Sequence, residues 1–460
     1  MNCQGVVRIA EEINMKVLNA VLCCVFVSIP SLAQQAQIGP LVDRELPSLV
    51  ATYKSIHAAP ELSHYEKNTS AILARELRAL GFSVTEHVGK YSDPNLVGYG
   101  VVAVLTNGPG PTVLIRTDMD ALPIEERTGL PYASRVHARD DSGQYVPVMH
   151  ACGHDIHVAT LIGTARVLAE LKTQWSGTLV LIGQPSEEKF DGARAMLSDG
   201  LYTRFPRPNY VLALHDSSEL ETGKIGYISG NMAASATSVD VILRGRGGHG
   251  AYPQKTIDPI VMAAQYILAI QNIVSRENSP LDPAVVTVGT IHGGTKRNII
   301  PDEVRLEITV RAYKEEVRQR ILSSLDRIAK GIALEAGVPP DRAPVVKVSE
   351  TEAASETYND PALTMRVVTA LKKALGTKNV VEIEPVMGSE DFGVLGLEGH
   401  QIPTMMFRVG AIDADRIAKS NQTGVPLPSM HSSLFWPAPE PTIRTGVAAM
   451  TTAALDLMGK

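Results

Sequence analysis

Short apolar runs separated by helical patterns constrain this chain more than any other feature. Val101 to Leu105, Val113 to Ile115, Thr178 to Ile182 and Tyr210 to Leu214 have the length and make-up of strands buried on both faces. Between them, residues 66–80 carry an amphipathic helical pattern closed by Gly81, and residues 157–171 carry another. Alternation of this kind predicts an α/β unit, a mostly parallel sheet flanked by helices.

After about residue 230 the period changes. Val304, Leu306, Ile308 and Val310 alternate strictly with Arg305, Glu307, Thr309 and Arg311, the signature of a strand with one wet face. Strands at Ser238 to Leu243 and 284–291, with helices over 258–275 and 315–335, complete a two-layer α+β unit. From about residue 355 buried helix and strand patterns return, ending in a helix over 440–458, so the small unit is inserted into the larger one. The expected division is 40–230 and 349–460 for the catalytic domain and 231–348 for the insertion; 460 residues exceed what one ordinary core holds. With 44% hydrophobic and 20% charged residues the composition is that of a globular protein. A net charge of -6 and the absence of any Lys/Arg-rich run argue against nucleic acid as a partner.

Residues 1–33 have the plan of an export signal: Lys16, an apolar stretch from Val17 to Pro30, then Ser31-Leu32-Ala33 with small residues where a signal peptidase cuts. Met15 is the alternative start, since Glu11-Glu12 suit a leader poorly. The stretch is shorter than the roughly 20 residues that span a bilayer, so an exported, periplasmic or secreted protein without a permanent membrane anchor is expected. Leu22 before Cys23 argues against a lipoprotein site. Cleavage removes Cys3, Cys23 and Cys24 and leaves Cys152 alone, which excludes an intrachain disulfide. A single leftover thiol is a buried side chain, a reactive group or a metal ligand.

Ligand-type residues gather at the carboxyl ends of the expected strands, where open α/β sheets bind their ligands. Cys152-Gly153-His154 precedes a helix, flanked by His150 and His157; Glu187-Glu188 follows one strand, His215 follows another, and His431 lies in a Pro-rich loop. Taken singly, each has a plainer explanation: a strand-end histidine is usually hydrogen-bonded structure, and a Glu-Glu pair is usually solvated. The cluster Cys-x-His-Asp-x-x-His is harder to explain by core packing. Two divalent cations about 3.5–4 Å apart can polarise a carbonyl and activate a shared water. Of two adjacent glutamates, one can bind metal while the other acts as general base and then acid. Thiolate, imidazole and carboxylate together suit zinc, manganese, cobalt or nickel better than magnesium or calcium.

Ordered segments then carry a resemblance: His57-Ala58-Ala59-Pro60-Glu61-Leu62-Ser63, Arg116-Thr117-Asp118-Met119-Asp120-Ala121-Leu122-Pro123, His150-Ala151-Cys152-Gly153-His154-Asp155, Gln184-Pro185-Ser186-Glu187-Glu188, Gly247-Gly248-His249-Gly250-Ala251-Tyr252-Pro253, Asn298-Ile299-Ile300-Pro301 and Gly388-Ser389-Glu390-Asp391-Phe392. From about residue 45 onward the chain resembles the aminoacylase, carboxypeptidase and hippurate hydrolase clan of dinuclear metallopeptidases. Within it, the chain is most similar to the branch of N-acyl-amino-acid and indole-acetyl-amino-acid amidohydrolases. The resemblance implies two divalent metal ions held by Cys152, His154, Glu188, His215 and His431, with Cys152 or a carboxylate bridging them and Glu187 as general acid/base. It implies that the insertion is a lid and dimerisation domain, so that the chain forms a homodimer, with His249 stabilising the oxyanion, often from the partner subunit, and Asn298 and Arg311 contacting the substrate. The expected substrate is an N-acyl amino acid, or a small peptide with a free carboxylate, cut at its amide bond. Many branches of the clan have a metal-binding histidine where this chain has Arg116, which leaves Asp118 to orient a ligand. Two rivals remain: an amidase that uses Cys152 as nucleophile, and a non-catalytic protein that binds acylated amino acids.

Overall fold

The computed structural model describes residues 30–460; the leader read over 1–33 lies outside the described residues except at its last positions. The main sheet has eight strands in the order Ser83–Val88, Gly100–Asn107, Gly177–Gln184, Thr112–Asp118, Tyr210–Glu221, Thr404–Ile412, Ile225–Tyr227, Val380–Glu382. From Gly177–Gln184 to Thr404–Ile412 neighbours run parallel. Gly100–Asn107 is antiparallel to Gly177–Gln184, and Ile225–Tyr227 is antiparallel to Thr404–Ile412. The apolar run Val101 to Leu105 therefore does not belong to the parallel core. Its composition reports burial on both faces, and burial carries no information on strand direction.

Successive side chains divide between two cores, as the period of two requires. Val113, Ile115, Leu179, Leu181, Leu212, Leu214, Met405 and Phe407 face the helices Pro30–His57, His154–Glu170 and Pro439–Met458. Leu114, Val180, Ile182, Val211, Ala213 and Met406 face the opposite layer, with Met196 of the helix Gly192–Ser198 and Phe392. The first helix holds two internal prolines, Pro40 and Pro47, and survives because Val42, Leu46, Leu49, Tyr53 and Ile56 form one buried stripe at helical spacing.

The second sheet is antiparallel, in the order Ala284–His292, Glu303–Ala312, Ser235–Arg244, Val345–Ala354. Val239, Val241, Leu243, Val304, Leu306, Ile308 and Val310 pack on Met262 and Tyr266 of the helix Pro259–Asn272 and on Ile321 and Leu325 of the helix Glu315–Glu335. Arg305 and Glu307 stand on the wet face. This sheet runs to Ala354, past the boundary expected at 348. Among the described residues no helix is long and apolar enough to cross a membrane.

Candidate metal centre

A turn before a helix, one strand end, one strand interior and one loop bring the ligand-type residues together. Gly153 makes the first junction possible: its φ is +80°, and a Cβ there would lie 2.5 Å from Asp216 Oδ2. The chain can then place Cys152 in a turn and His154 at the first position of the helix His154–Glu170. Glu187 and Glu188 follow the strand Gly177–Gln184 through Ser186, a non-glycine residue held at φ +53°. Their backbone N–H groups donate to Asp120 at 3.1 and 3.0 Å, and the Ser63 hydroxyl donates to the same carboxylate at 2.6 Å. His215 stands within the strand Tyr210–Glu221 rather than after its end. His431, also left-handed at φ +64°, reaches in from the loop before the last helix.

Cys152 Sγ lies 3.5 Å from His215 Nε2 and 3.3 Å from His431 Nε2. Glu188 Oε1 is 3.6 Å from His431 Nε2 and 3.9 Å from His154 Nε2, and Glu187 Oε2 is 3.8 Å from His154 Nε2. Cys152, His154 and His215 form one group of mutually close donor atoms, and Cys152, Glu188 and His431 form another, so Cys152 is common to both. The imidazoles are oriented for ligation. His215 Nδ1 donates to the Asp216 carbonyl at 2.8 Å, which turns Nε2 toward Cys152. The Asp216 backbone N–H donates to His157 Nε2 at 2.9 Å, so neutral His157 carries its proton on Nδ1, 2.6 Å from Asp118 Oδ1. Asp118 thus holds His157, and the chain Asp118, His157, Asp216 ends at His215.

The Arg116 guanidinium is buried in a network of acceptors. It donates to Gln184 at 2.9 Å, Asp118 at 2.5 Å, Glu390 at 2.8 Å and Asp391 at 3.2 Å. His57 lies deep beside Asp155 and Glu126, at 2.6 and 3.2 Å. His150 is buried with neither ring nitrogen hydrogen-bonded, and burial lowers its pKa to about 4.

The donor set is charged in a way that calls for cations. Burial, then the negative charge of Glu390 and Glu188, pushes the Glu187 carboxyl well above its ordinary range. Burial moves Glu188 up to about 8, with the His154 charge opposing and Asp120 assisting. Burial, then Glu188 and Glu187, raises the Cys152 thiol. Burial and the nearby Arg408 lower His215 to about 4, leaving it neutral with a free lone pair. His154 Nε2 and Glu188 Oε1 are buried without a hydrogen-bond partner. Buried donors of this kind fit divalent ions, which would favour thiolate and carboxylate together. The same charges disfavour the thiol rival, because a nucleophilic cysteine needs its pKa lowered.

A cavity of about 910 Å³ opens on the centre and is lined by Cys152, Glu187, Glu188, His215, Arg311 and His431, among others. Arg311 enters from the second sheet, donating to the hydroxyls of Thr309 at 3.1 Å and Ser389 at 2.5 Å. His249 and Asn298 do not join them. His249 is exposed on the ribbon of Gly248–His249 and Ile299–Ile300 and Asn298 is exposed immediately before its second strand, both outside the residues that line this cavity. Asp120, Asp216 and Arg408 went unassigned in the sequence, although a lone arginine within the apolar run Thr404–Ile412 was a visible signal.

Comparison with known proteins agrees with this geometry. Residues 114–430 match the model of peptidase family M20/M25/M40. Thermostable carboxypeptidase 1 of Saccharolobus solfataricus is 38% identical over 75% of this chain and 81% of its own length. The hippurate hydrolase of Campylobacter jejuni is 37% identical over 74% of this chain and 82% of its own. The crystal structure of a Bacillus subtilis dinuclear metal-binding peptidase from the M20 family superposes with a TM-score of 0.70 at 28% identity, covering 90% of this chain and 100% of that one. A mostly parallel sheet carrying this constellation, matched over most of the length of these relatives, makes the chain a metal-dependent hydrolase that belongs to peptidase family M20/M25/M40.

Proposed function

We propose that the chain hydrolyses the amide bond between an acyl group and an amino acid, or a small peptide with a free carboxylate. One observation carries this: five ligand-type side chains converge beside Glu187, in a cavity whose far wall holds a guanidinium with no carboxylate of its own. Cys152, His154, Glu188, His215 and His431 would hold two divalent ions. When bound, such ions supply Lewis acidity and make water a nucleophile near neutral pH. Arg311 pairs with the substrate carboxylate as a planar fork and so sets the scissile amide over the centre. Glu187 takes the proton of the attacking water and returns it to the leaving nitrogen; its surroundings favour the protonated form, which suits the second half of that task. Glu187 lines this cavity while being only 4% exposed, so the surrounding protein shields most of its carboxyl.

The names of two relatives support the substrate class, since one acts on hippurate and the other is a carboxypeptidase. His249 and Asn298 belong to the proposal as residues offered to a second copy of the chain through the exposed ribbon, which makes the working form a homodimer. Export past a cleaved leader is the remaining part, checked by fractionation and N-terminal sequencing of the mature protein. The reaction itself is tested by amino-acid release from N-acetyl, N-benzoyl and indole-acetyl amino acids and from dipeptides. Release from the free acids, with a sharp rise in KM for their methyl esters, is expected. No release from any of them by metal-loaded protein would overturn it.

A further inference from the structure

The strand Thr404–Ile412 is buried along its length except at Arg408, the one charged residue in an apolar run. Its register sets Arg408 beside His215 on the neighbouring parallel strand, and its side chain lines the cavity with Glu187, Glu188 and His215. Nη1 is buried without a hydrogen-bond partner, and among the described residues Arg408 forms no ion pair, although Glu219, Glu384 and Glu390 line the same cavity. The contrast with Arg116 is informative. That buried guanidinium has three carboxylates around it, as a desolvated cation requires. Arg408 has none. Arg311, on the second sheet, is held by two hydroxyls and likewise lacks a carboxylate. One cavity therefore presents two uncompensated guanidinium groups, each on a different sheet, and the α-carboxylate of an acyl amino acid satisfies only one of them.

Resting on the amidohydrolase activity proposed above, we infer that Arg408 receives a second carboxylate, so that the preferred substrates are dianionic acyl amino acids. The second carboxylate is carried by the acyl chain or by the amino-acid side chain. A planar guanidinium beside the metal centre binds either in a bidentate fork, and it discriminates against an amide of the same shape, which leaves Nη1 poorly paired.

Two matched pairs separate the sources: N-succinyl-leucine against N-succinamoyl-leucine, and N-acetyl-glutamate against N-acetyl-glutamine. The ratio of kcat/KM within each pair is measured for the wild type, Arg408→Gln and Arg408→Lys. A wild-type preference of roughly 10- to 100-fold for the anionic member of one pair is expected, collapsing to near one in Arg408→Gln and partly kept in Arg408→Lys. The pair that responds identifies where the carboxylate sits. Because each ratio is internal to one variant, impaired folding cannot imitate the result. Turnover with no preference in either pair, or a preference that survives in Arg408→Gln, would overturn the assignment alone. No turnover of any of the four amides would overturn it together with the amidohydrolase activity.

Discussion

Replacing Arg116 with methionine removes a guanidinium that is 2% exposed and leaves Asp118, Glu390 and Asp391 facing one another without a cation. Breaking a buried ion pair by deleting one partner costs about 3–5 kcal/mol, and here one deletion strands several partners. Both tryptophans, Trp175 and Trp436, lie in the parts of the chain that build the main sheet unit, so their fluorescence reports on the unit that holds Arg116. With a urea slope near 3 kcal/mol per molar, the metal-free variant should unfold at a midpoint lower by roughly 1 to 1.7 M at pH 7.5. The pH dependence has a definite sign. Burial alone would lift Glu390, and Arg116 holds it below the ordinary carboxylate range, so that stability is present above the unfolded pKa and lost as pH falls. Asp391, raised to about 7 even with Arg116 present, protonates readily once the cation is gone. The gap between wild type and variant should therefore narrow toward pH 5. A midpoint shift under 0.3 M (about 1 kcal/mol), or a gap that widens in acid, would refute the electrostatic role given to Arg116.

Other expectations follow from the same contacts. Glu187→Gln should lower kcat by about 10²–10⁴ while leaving metal content unchanged, measured by steady-state kinetics and elemental analysis. Asp118→Asn should weaken metal affinity about 10- to 100-fold by releasing His157, and with it Asp216 and His215; competition with a chromogenic chelator reads this directly. Metal affinity should rise as pH is raised through about 8, because Glu188 and Cys152 must give up protons to ligate. Calorimetry at pH 6.5 and 8.5 showing equal affinity would contradict that coupling.

Patterned elements were legible in the sequence. The helix Glu315–Glu335 coincides with its expected span because Val317, Ile321, Leu325 and Ile332 repeat at helical spacing above a polar face. The strand Glu303–Ala312 follows from strict alternation. The helix Pro30–His57 was hidden by its two prolines and the adjoining leader, where tertiary burial outweighs local propensity. Strand direction was equally hidden at Gly100–Asn107. At the centre, Cys152 and His154 announce themselves by proximity, whereas His215 and His431 are single residues whose convergence depends on the fold. The support beneath them was not legible, since Asp118, His157 and Asp216 are joined only by packing of three distant segments. Cys152, which composition alone would have left as an ordinary buried thiol, sits within 3.5 Å of two histidines.

The most direct measurement is turnover of N-benzoylglycine and N-acetyl-leucine by protein stripped with EDTA and titrated with Mn²⁺ or Zn²⁺, for wild type and Cys152→Ser. Activity should vanish on stripping and return to a plateau at two ions per chain, with Cys152→Ser needing far more metal but recovering measurable turnover. Full activity after stripping, coupled with complete and metal-independent loss in Cys152→Ser, would show a thiol nucleophile instead of a metal centre.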